Sequence, residues 1–169
     1  MAQVNLRHAD VTIEDGTAMT PQSVYLKIGE GNLTVTEQRP IKYTTDRNHL
    51  DEIFLEKPVP VEVKFDATWT KVGGPNTEHY ADGTSTTSIY TDDILMNILK
   101  GVGYVSSDPD VERPHAVNIR IQYLTGGGAS TTTMLIPNFR YEQASFDLGA
   151  GTISFTGKAF TTDVLLTEA

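Results

Sequence analysis

Residues 59–70 alternate between apolar and polar side chains, and this run constrains the fold more than any other stretch. Its apolar positions are Val59, Val61, Val63, Phe65, Ala67 and Trp69. Successive side chains of a β-strand point to opposite sides, so the alternation predicts a strand with one buried face and one wet face. Wound into a helix, the same residues would place charges all round the cylinder, so we exclude a core helix here.

The same alternation recurs in shorter segments, which predicts a fold built mainly of antiparallel strands. These segments are 11–13, 24–28, 33–35, 41–43, 117–123, 135–141, 153–157 and 160–166. Glycine-containing stretches at 29–32, 126–128 and 149–151 separate several of them and are typical of hairpin turns.

Residues 91–101 break this rhythm and predict a short helix. Thr91 can cap its start, and Asp92 and Asp93 lie in the first turn, where the helix dipole favours acids. Apolar residues at helical spacing follow, and Lys100 and Gly101 provide the stop signal. The predicted fold is therefore all-β and mainly antiparallel, a β-sandwich or partial barrel with one flanking α-helix.

The chain has the size of a single domain, and we expect residues 1–169 to form one unit. Three segments lack periodicity and are expected to be long loops: 42–58, 73–88 and 106–114. The first carries Ile53, Phe54 and Leu55, which a free loop has no reason to expose. These side chains either fold back onto the subunit's own core or contact another subunit.

Composition and motifs argue against catalysis and against a bound cofactor. The chain has no cysteine, and its histidines (His8, His49, His79 and His115) lie in separate segments without the spacing of a zinc site. It has no GxSxG or SxxK nucleophile motif, and Gly126–Gly128 lacks the lysine of a phosphate-binding loop. We therefore expect no enzyme, no metal and no cofactor.

Asp108, Asp110 and Glu112 alternate in a way that superficially resembles a calcium loop. Pro109 and the lack of a glycine at the sharp turn argue against an EF-hand. We expect an exposed acidic loop instead.

The net charge of −9 comes from 22 acidic and 13 basic residues, and no lysine or arginine stripe is present. Tight nucleic-acid binding is thereby excluded, because it requires cations that displace phosphate counterions. The charge serves ordinary solubility, or it suits a surface past which nucleic acid must slide. The first residues lack a signal-peptide pattern and no apolar run could span a bilayer, so we expect synthesis in a cytoplasm and no membrane anchor.

Several stretches together resemble the tail-tube (major tail) proteins of bacteriophages. They are 36–43, Asp46-Arg47, Leu50-Asp51, 58–65, Trp69, 104–110, 113–117 and 151–159. The resemblance extends over about residues 24–160. Tyr104 stands where that family often has tryptophan, and 73–88 has no counterpart.

This resemblance implies a structural subunit of a tail tube, located in the virion tail. Six copies would form a ring, and stacked rings would form a hollow conduit through which DNA passes without specific binding. The implied partners are other copies of the chain and other tail proteins: terminator, baseplate or tip, sheath, and a tape measure inside the tube. Whether the tail contracts is left open.

Two sets of residues become candidate sites under this hypothesis. The candidate lumen-facing residues are Glu62, Lys64, Asp66, Thr68, Thr70, Asn118, Arg120 and Gln122. They are polar positions of two predicted strands, and the same faces could instead look outward to solvent or a sheath. The candidate stacking residues, in the 42–58 segment, are Asp46, Arg47, Leu50, Asp51, Ile53, Phe54 and Leu55.

Two other kinds of protein also fit this sequence. One is another self-assembling ring protein, such as a head–tail completion protein or the ring of a secretion tube. The other is a carbohydrate-binding β-sandwich module, which needs exposed aromatic residues for sugar stacking. Tyr80, Tyr90 and Trp69 are its only candidates, and Trp69 fits the apolar side of its strand.

Overall fold

A computed structural model of the chain describes residues 9–26, 33–68, 91–125, 130–147 and 149–168. Within these ranges the chain forms ten strands and one helix. In chain order they are β1 (Ala9–Glu14), β2 (Ser23–Tyr25), β3 (Leu33–Thr36), β4 (Ile41–Asp46), β5 (His49–Leu55), β6 (Val61–Thr68), α1 (Thr91–Lys100), β7 (Val117–Thr125), β8 (Ser130–Asp147), β9 (Thr152–Ala159) and β10 (Leu165–Glu168).

Eight strands make one sheet, in the order β2-β1-β7-β8-β9-β6-β3, with β10 added beside β8. Every pairing in it is antiparallel. The long strand β8 holds this sheet together. It pairs with β7 on one side, and with β9 and β10 end to end on the other.

The sheet bends so that its two end strands, β2 and β3, approach each other. Only six residues separate Leu26 from Leu33, and an extended chain of that length spans at most about 25 Å. Both residues also pack on the same hydrophobic cluster. A single sheet that curls around its core in this way is a partial barrel.

The core is apolar and is centred on three phenylalanines. The ring of Phe65 lies 5.0 Å from that of Phe155 and 6.0 Å from that of Phe139. All three are buried, and Tyr141 adds an edge contact to Phe155 at 6.2 Å. Leu95, Ile98 and Leu99 of helix α1 join the same cluster, so the helix covers the concave side of the sheet.

The predicted fold class is confirmed: the described chain is antiparallel β with one packed helix. Strand β6 buries Val61, Val63, Phe65 and Ala67, as their alternation predicts. The helix predicted over 91–101 is α1, and Gly101 follows it with φ 78°, the left-handed conformation that favours glycine after a helix. Trp69 and the turns predicted at 29–32 and 126–128 lie outside the described residues.

The three expected loops have different outcomes. Residues 42–58 do not form an irregular loop: they are mostly the β4–β5 hairpin, a separate two-stranded sheet. Pairing across the hairpin satisfies backbone groups that a loop would leave to water. Residues 106–114 form turns without helix or strand, as expected. The 73–88 segment lies outside the described residues.

Gly157 in β9 provides a test of this packing. A Cβ atom there would lie 2.1 Å from the carbonyl oxygen of Arg140 and 2.7 Å from Cα of Tyr141, both backbone atoms of β8. We expect Gly157→Ala to destabilise the fold by about 2–3 kcal/mol, because the central strands must separate. Urea unfolding measures this loss. Gly149→Ala is the control, since its new Cβ meets only a side-chain oxygen of Asp147 at 3.4 Å, and an equal loss in both variants would contradict the steric explanation.

Candidate assembly surfaces

The β4–β5 hairpin is closed by a two-residue turn at Arg47 and Asn48. Both residues have positive φ, 48° and 65°, and Asp46 pairs with His49 on either side of them. Positive φ at both central residues defines a type I′ turn, whose twist matches that of the two strands. Asparagine adopts this conformation readily, whereas a long side chain such as that of arginine is less common there.

One face of this hairpin is made of large apolar side chains. The pairs Ile41–Leu55 and Tyr43–Ile53 face each other directly across the strands, and cross-strand partners share a face. A bulge at Asp51 then brings Leu50 opposite Thr45, two residues beyond Tyr43. Leu50 therefore joins the set, which we call the apolar face: Ile41, Tyr43, Leu50, Ile53 and Leu55.

The opposite face of the hairpin is mixed. Lys42 pairs with Phe54 and holds its ammonium 5.7 Å from the centre of the ring. Thr44 pairs with Glu52, and its hydroxyl accepts a hydrogen bond from the Glu52 amide at 3.2 Å. This face is suited to water, so the two faces of the hairpin differ in polarity.

The apolar face is exposed. Leu50 is 77% exposed, Ile53 64% and Leu55 59%, and none of the three belongs to the buried core cluster. The alternative that these residues fold back onto their own subunit is therefore wrong. A two-stranded hairpin is marginally stable in water by itself, and burying each large apolar side chain contributes about 1.5–3 kcal/mol. A cluster of exposed apolar side chains such as this is typical of surfaces that contact another protein.

The candidate stacking residues fall on different parts of the hairpin. Leu50, Ile53 and Leu55 lie on the apolar face, and Phe54 lies on the mixed face. Asp46 and Arg47 are at the turn, and Asp51 is the bulge. Ile41 and Tyr43 were not among the candidates, although their alternation with Lys42 was the signal that could have identified them.

The candidate lumen residues lie on the polar side of the main sheet, away from the core. Register links Lys64 to Thr156 and Thr156 to Gln143, and links Gln122 to Thr133. These partners alternate with buried neighbours on every strand, which places both sets on one sheet face. We call it the polar sheet face; its described candidates are Glu62, Lys64, Asp66, Asn118, Arg120 and Gln122. The side chain of Thr68 and all of Thr70 lie outside the described residues.

Opposite charges are paired on the polar sheet face. Lys64 Nζ lies 3.1 Å from Glu62 Oε1, and Lys158 Nζ lies 3.9 Å from Glu142 Oε1. Arg120 Nε lies 3.1 Å from Glu14 Oε1. Since that nitrogen has no hydrogen-bond partner, the last contact is an ion pair without aligned hydrogen-bond geometry. The face thus offers few cations that are free to hold a phosphate.

The 106–114 loop is anchored to the same sheet by Asp108, which is buried rather than exposed as expected. Its Oδ2 accepts hydrogen bonds from Arg140 at 2.7 Å and from Arg113 at 3.3 Å. Its Oδ1 accepts the Asp110 amide at 3.0 Å. The Arg140 bond, with these other contacts, lowers the pKa of Asp108 from 3.8 to about 2. The arginines occupy the carboxylate that a calcium ion would need.

Asp108→Asn should therefore destabilise the subunit in a pH-dependent way. A carboxyl whose folded pKa is depressed stabilises the fold above its unfolded value of 3.8, and this contribution disappears as the pH falls toward 2. We expect the melting temperature of the variant to be lower than wild type by on the order of 5 °C at pH 7. The gap should shrink below pH 3.8. Thermal melts across this pH range test it, and a gap that is constant with pH would contradict the assignment.

A second buried carboxylate, Asp15, fixes the neighbouring loops. It accepts hydrogen bonds from the Thr17 hydroxyl at 2.7 Å and from the amides of Gln22 and Val105 at 2.8 and 3.3 Å. The Gly16 amide donates to the Val105 carbonyl at 2.8 Å. These bonds join the β1–β2 connection to the segment after α1, and they account for Asp15 as a structural residue.

Two features are absent from the part of the chain that the structure describes. No group of three or more histidine, cysteine, aspartate or glutamate side chains is placed to hold a metal ion there. No helix among the described residues has the length and apolar character needed to cross a membrane.

Comparison with known proteins gives a likeness in structure. No protein-family model and no curated protein matches the chain. A chain of the PVC sheath/tube terminator, from an extracellular contractile injection system in the extended state, superposes with a TM-score of 0.54 at 10% identity, covering 99% of this chain and 98% of that one. A chain of the PVC sheath-tube complex gives 0.55 at 11% identity, covering 99% and 93%. At these identities the comparison establishes a shared fold.

Proposed function

We propose that the chain is a structural subunit of a phage tail tube, which assembles as stacked hexameric rings into a hollow conduit for genome delivery. The exposed apolar face of the β4–β5 hairpin is the observation that carries this proposal. A subunit that presents five large apolar side chains on a projecting hairpin is suited to permanent assembly rather than to life as a monomer. The fold shared with chains of a sheath-tube complex and its terminator supports the same role.

Self-assembly through the hairpin would be heterologous. In a stack of rings that all point the same way, the apolar face of one copy contacts a different surface on the next copy or on another tail protein. Contacts of this kind generate closed rings when the rotation closes and open stacks when it does not. A tube uses both, so the hairpin is the proposed stacking element that joins one ring to the next.

The polar sheet face is the proposed lumen lining. Antiparallel sheets can have one face on the core and the other in water, as a channel wall requires. The paired charges of Lys64, Lys158 and Arg120 support this use, because cations held by carboxylates attract DNA phosphates weakly. The conduit then acts by shape and without catalysis. An assembled structure with Glu62 and Asp66 on the outer wall would contradict this part of the proposal.

A second candidate is a ring protein at the end of a tube, such as a terminator or head–tail completion protein. The fold shared with a chain of a sheath/tube terminator favours it. Such a protein would form single rings without long stacks, so the length of the assemblies distinguishes the two candidates.

A shortened hairpin tests the proposal. Residues 43–53 are replaced by Asn-Gly, which leaves Lys42 paired with Phe54 on either side of a type I′ turn. Sedimentation velocity over a concentration series should show large assemblies for the wild type and monomers for the variant. Circular dichroism should show that the body of the variant is still folded. Long tubes formed by the shortened protein would refute the stacking role.

A further inference from the structure

A cleft of about 660 Å³ lies at the base of the β4–β5 hairpin. Its walls come from the chain entering β4, from the chain leaving β5, and from the connection between β9 and β10. Leu55, Pro58 and Val59 supply apolar lining, and Thr162 and Asp163 close the opposite side. The cleft is open to solvent, and none of the residues that line it belongs to the hydrophobic core cluster.

Strand β10 continues this surface. It begins two residues after Asp163, and Leu165 and Leu166 are 51% and 62% exposed. Among the described strands it pairs only with β8, so its outer edge has no neighbour there. An exposed edge with apolar side chains is a template for a strand of another chain.

The cleft is predominantly acidic. Glu37, Glu56 and Asp163 contribute carboxylates to its lining, against the single cation of Arg39. Glu37 accepts a hydrogen bond from the Val164 amide. In the part of the chain that is described, none of these three carboxylates forms an ion pair. The cleft therefore has negative charge available to a visiting cation.

The tip of the hairpin carries such a cation. Arg47 is exposed at the type I′ turn, and no ion pair holds it among the described residues. Six residues of β4 separate this tip from the hairpin base, a distance of roughly 20 Å. The guanidinium thus cannot reach the cleft at the base of its own hairpin, but it can reach that of a second molecule.

We propose that the cleft and β10 together form the docking surface for the hairpin of a second copy. Arg47 of that copy enters among Glu37, Glu56 and Asp163, and its apolar face packs along the open edge of β10, where Leu165 and Leu166 lie on opposite sides of the strand. This inference rests on the proposed self-assembly and specifies its partner surface. The contact joins the tip of one hairpin to the base of the next, so it can propagate from subunit to subunit.

Charge reversal across this contact tests the proposal. Arg47→Glu and Glu56→Arg, each alone, should weaken association at least about tenfold, and the double variant should recover most of it, since close interfacial charge pairs couple strongly. Lys57→Glu is the matched control: it reverses an exposed cation next to Glu56 that does not line the cleft. Its association should stay near wild type.

Sedimentation velocity gives the association constants, and circular dichroism checks the fold of each variant. If the wild type assembles but the single reversals assemble equally well, or the double variant fails to recover, the docking surface is wrong and self-assembly stands. If the wild type stays monomeric at every concentration, the proposed function fails and the docking surface fails with it.

Discussion

Ile53→Glu is expected to weaken self-association by two to three orders of magnitude while leaving the subunit folded. The residue is 64% exposed and lies in the middle of the apolar face, beside Leu55 and opposite Tyr43. In an assembly it would lose about 1.5–3 kcal/mol of apolar burial and would place an unpaired charge in the interface. Sedimentation velocity over a concentration series measures the change.

Phe54→Glu is the matched control for this prediction. It makes the same kind of change one residue away, on the mixed face, where the new carboxylate would lie opposite Lys42 and could pair with it. We expect assembly close to wild type and an unchanged melting temperature for both variants, since neither site touches the core. Equal losses of assembly at the two sites would contradict the assignment of the apolar face as the docking side.

Phe155→Ala is expected to cost about 3–5 kcal/mol of unfolding free energy, the largest stability effect that we foresee. Phe155 is buried, its ring lies 5.0 Å from Phe65, and Tyr141 packs against its edge. Truncation leaves a cavity between strands that are fixed by their hydrogen bonds on both sides, so the site cannot collapse. Urea denaturation at equilibrium measures the loss.

Phe160→Ala provides the comparison. That ring is 61% exposed and contacts the Arg113 guanidinium at 4.7 Å, so its removal should cost within about 1 kcal/mol. If the two alanine variants lost similar amounts, the three-phenylalanine cluster would not be the centre of the core.

The sequence was sufficient to predict the main sheet and the helix because both bury one side. Val61, Val63 and Phe65 alternate with polar residues because they face the core and their neighbours face water. The same reasoning holds for β7 and for Leu95, Ile98 and Leu99 in α1. Where a core exists on one side of an element, the periodicity of its side chains reports it.

Most of the β4–β5 hairpin was not predicted as strand, because neither of its sides is buried against the core. It has no core of its own, and the bulge at Asp51 shifts the alternation by one residue. The 18-residue β8 is similarly interrupted: its register shifts between Tyr141 and Gln143, and Asn138 has φ 54°. Bulges of this kind depend on the partner strand, which local sequence does not specify.

The buried environment of Asp108 could not be predicted from sequence either. Its partners Arg113 and Arg140 are five and 32 residues away, and only the folded sheet brings Arg140 beside the loop. For the polar sheet face, alternation predicted which residues share a side. It could not predict the ion pairs between strands, such as Glu14 with Arg120, because those depend on strand order.

Negative-stain electron microscopy of the concentrated protein is the decisive measurement for the proposed assembly of this chain into a tube of its own copies. We expect hollow tubes, or rings with a central hole, that disappear in the Ile53→Glu variant. Uniform monomeric particles at every concentration of the wild-type protein would contradict it.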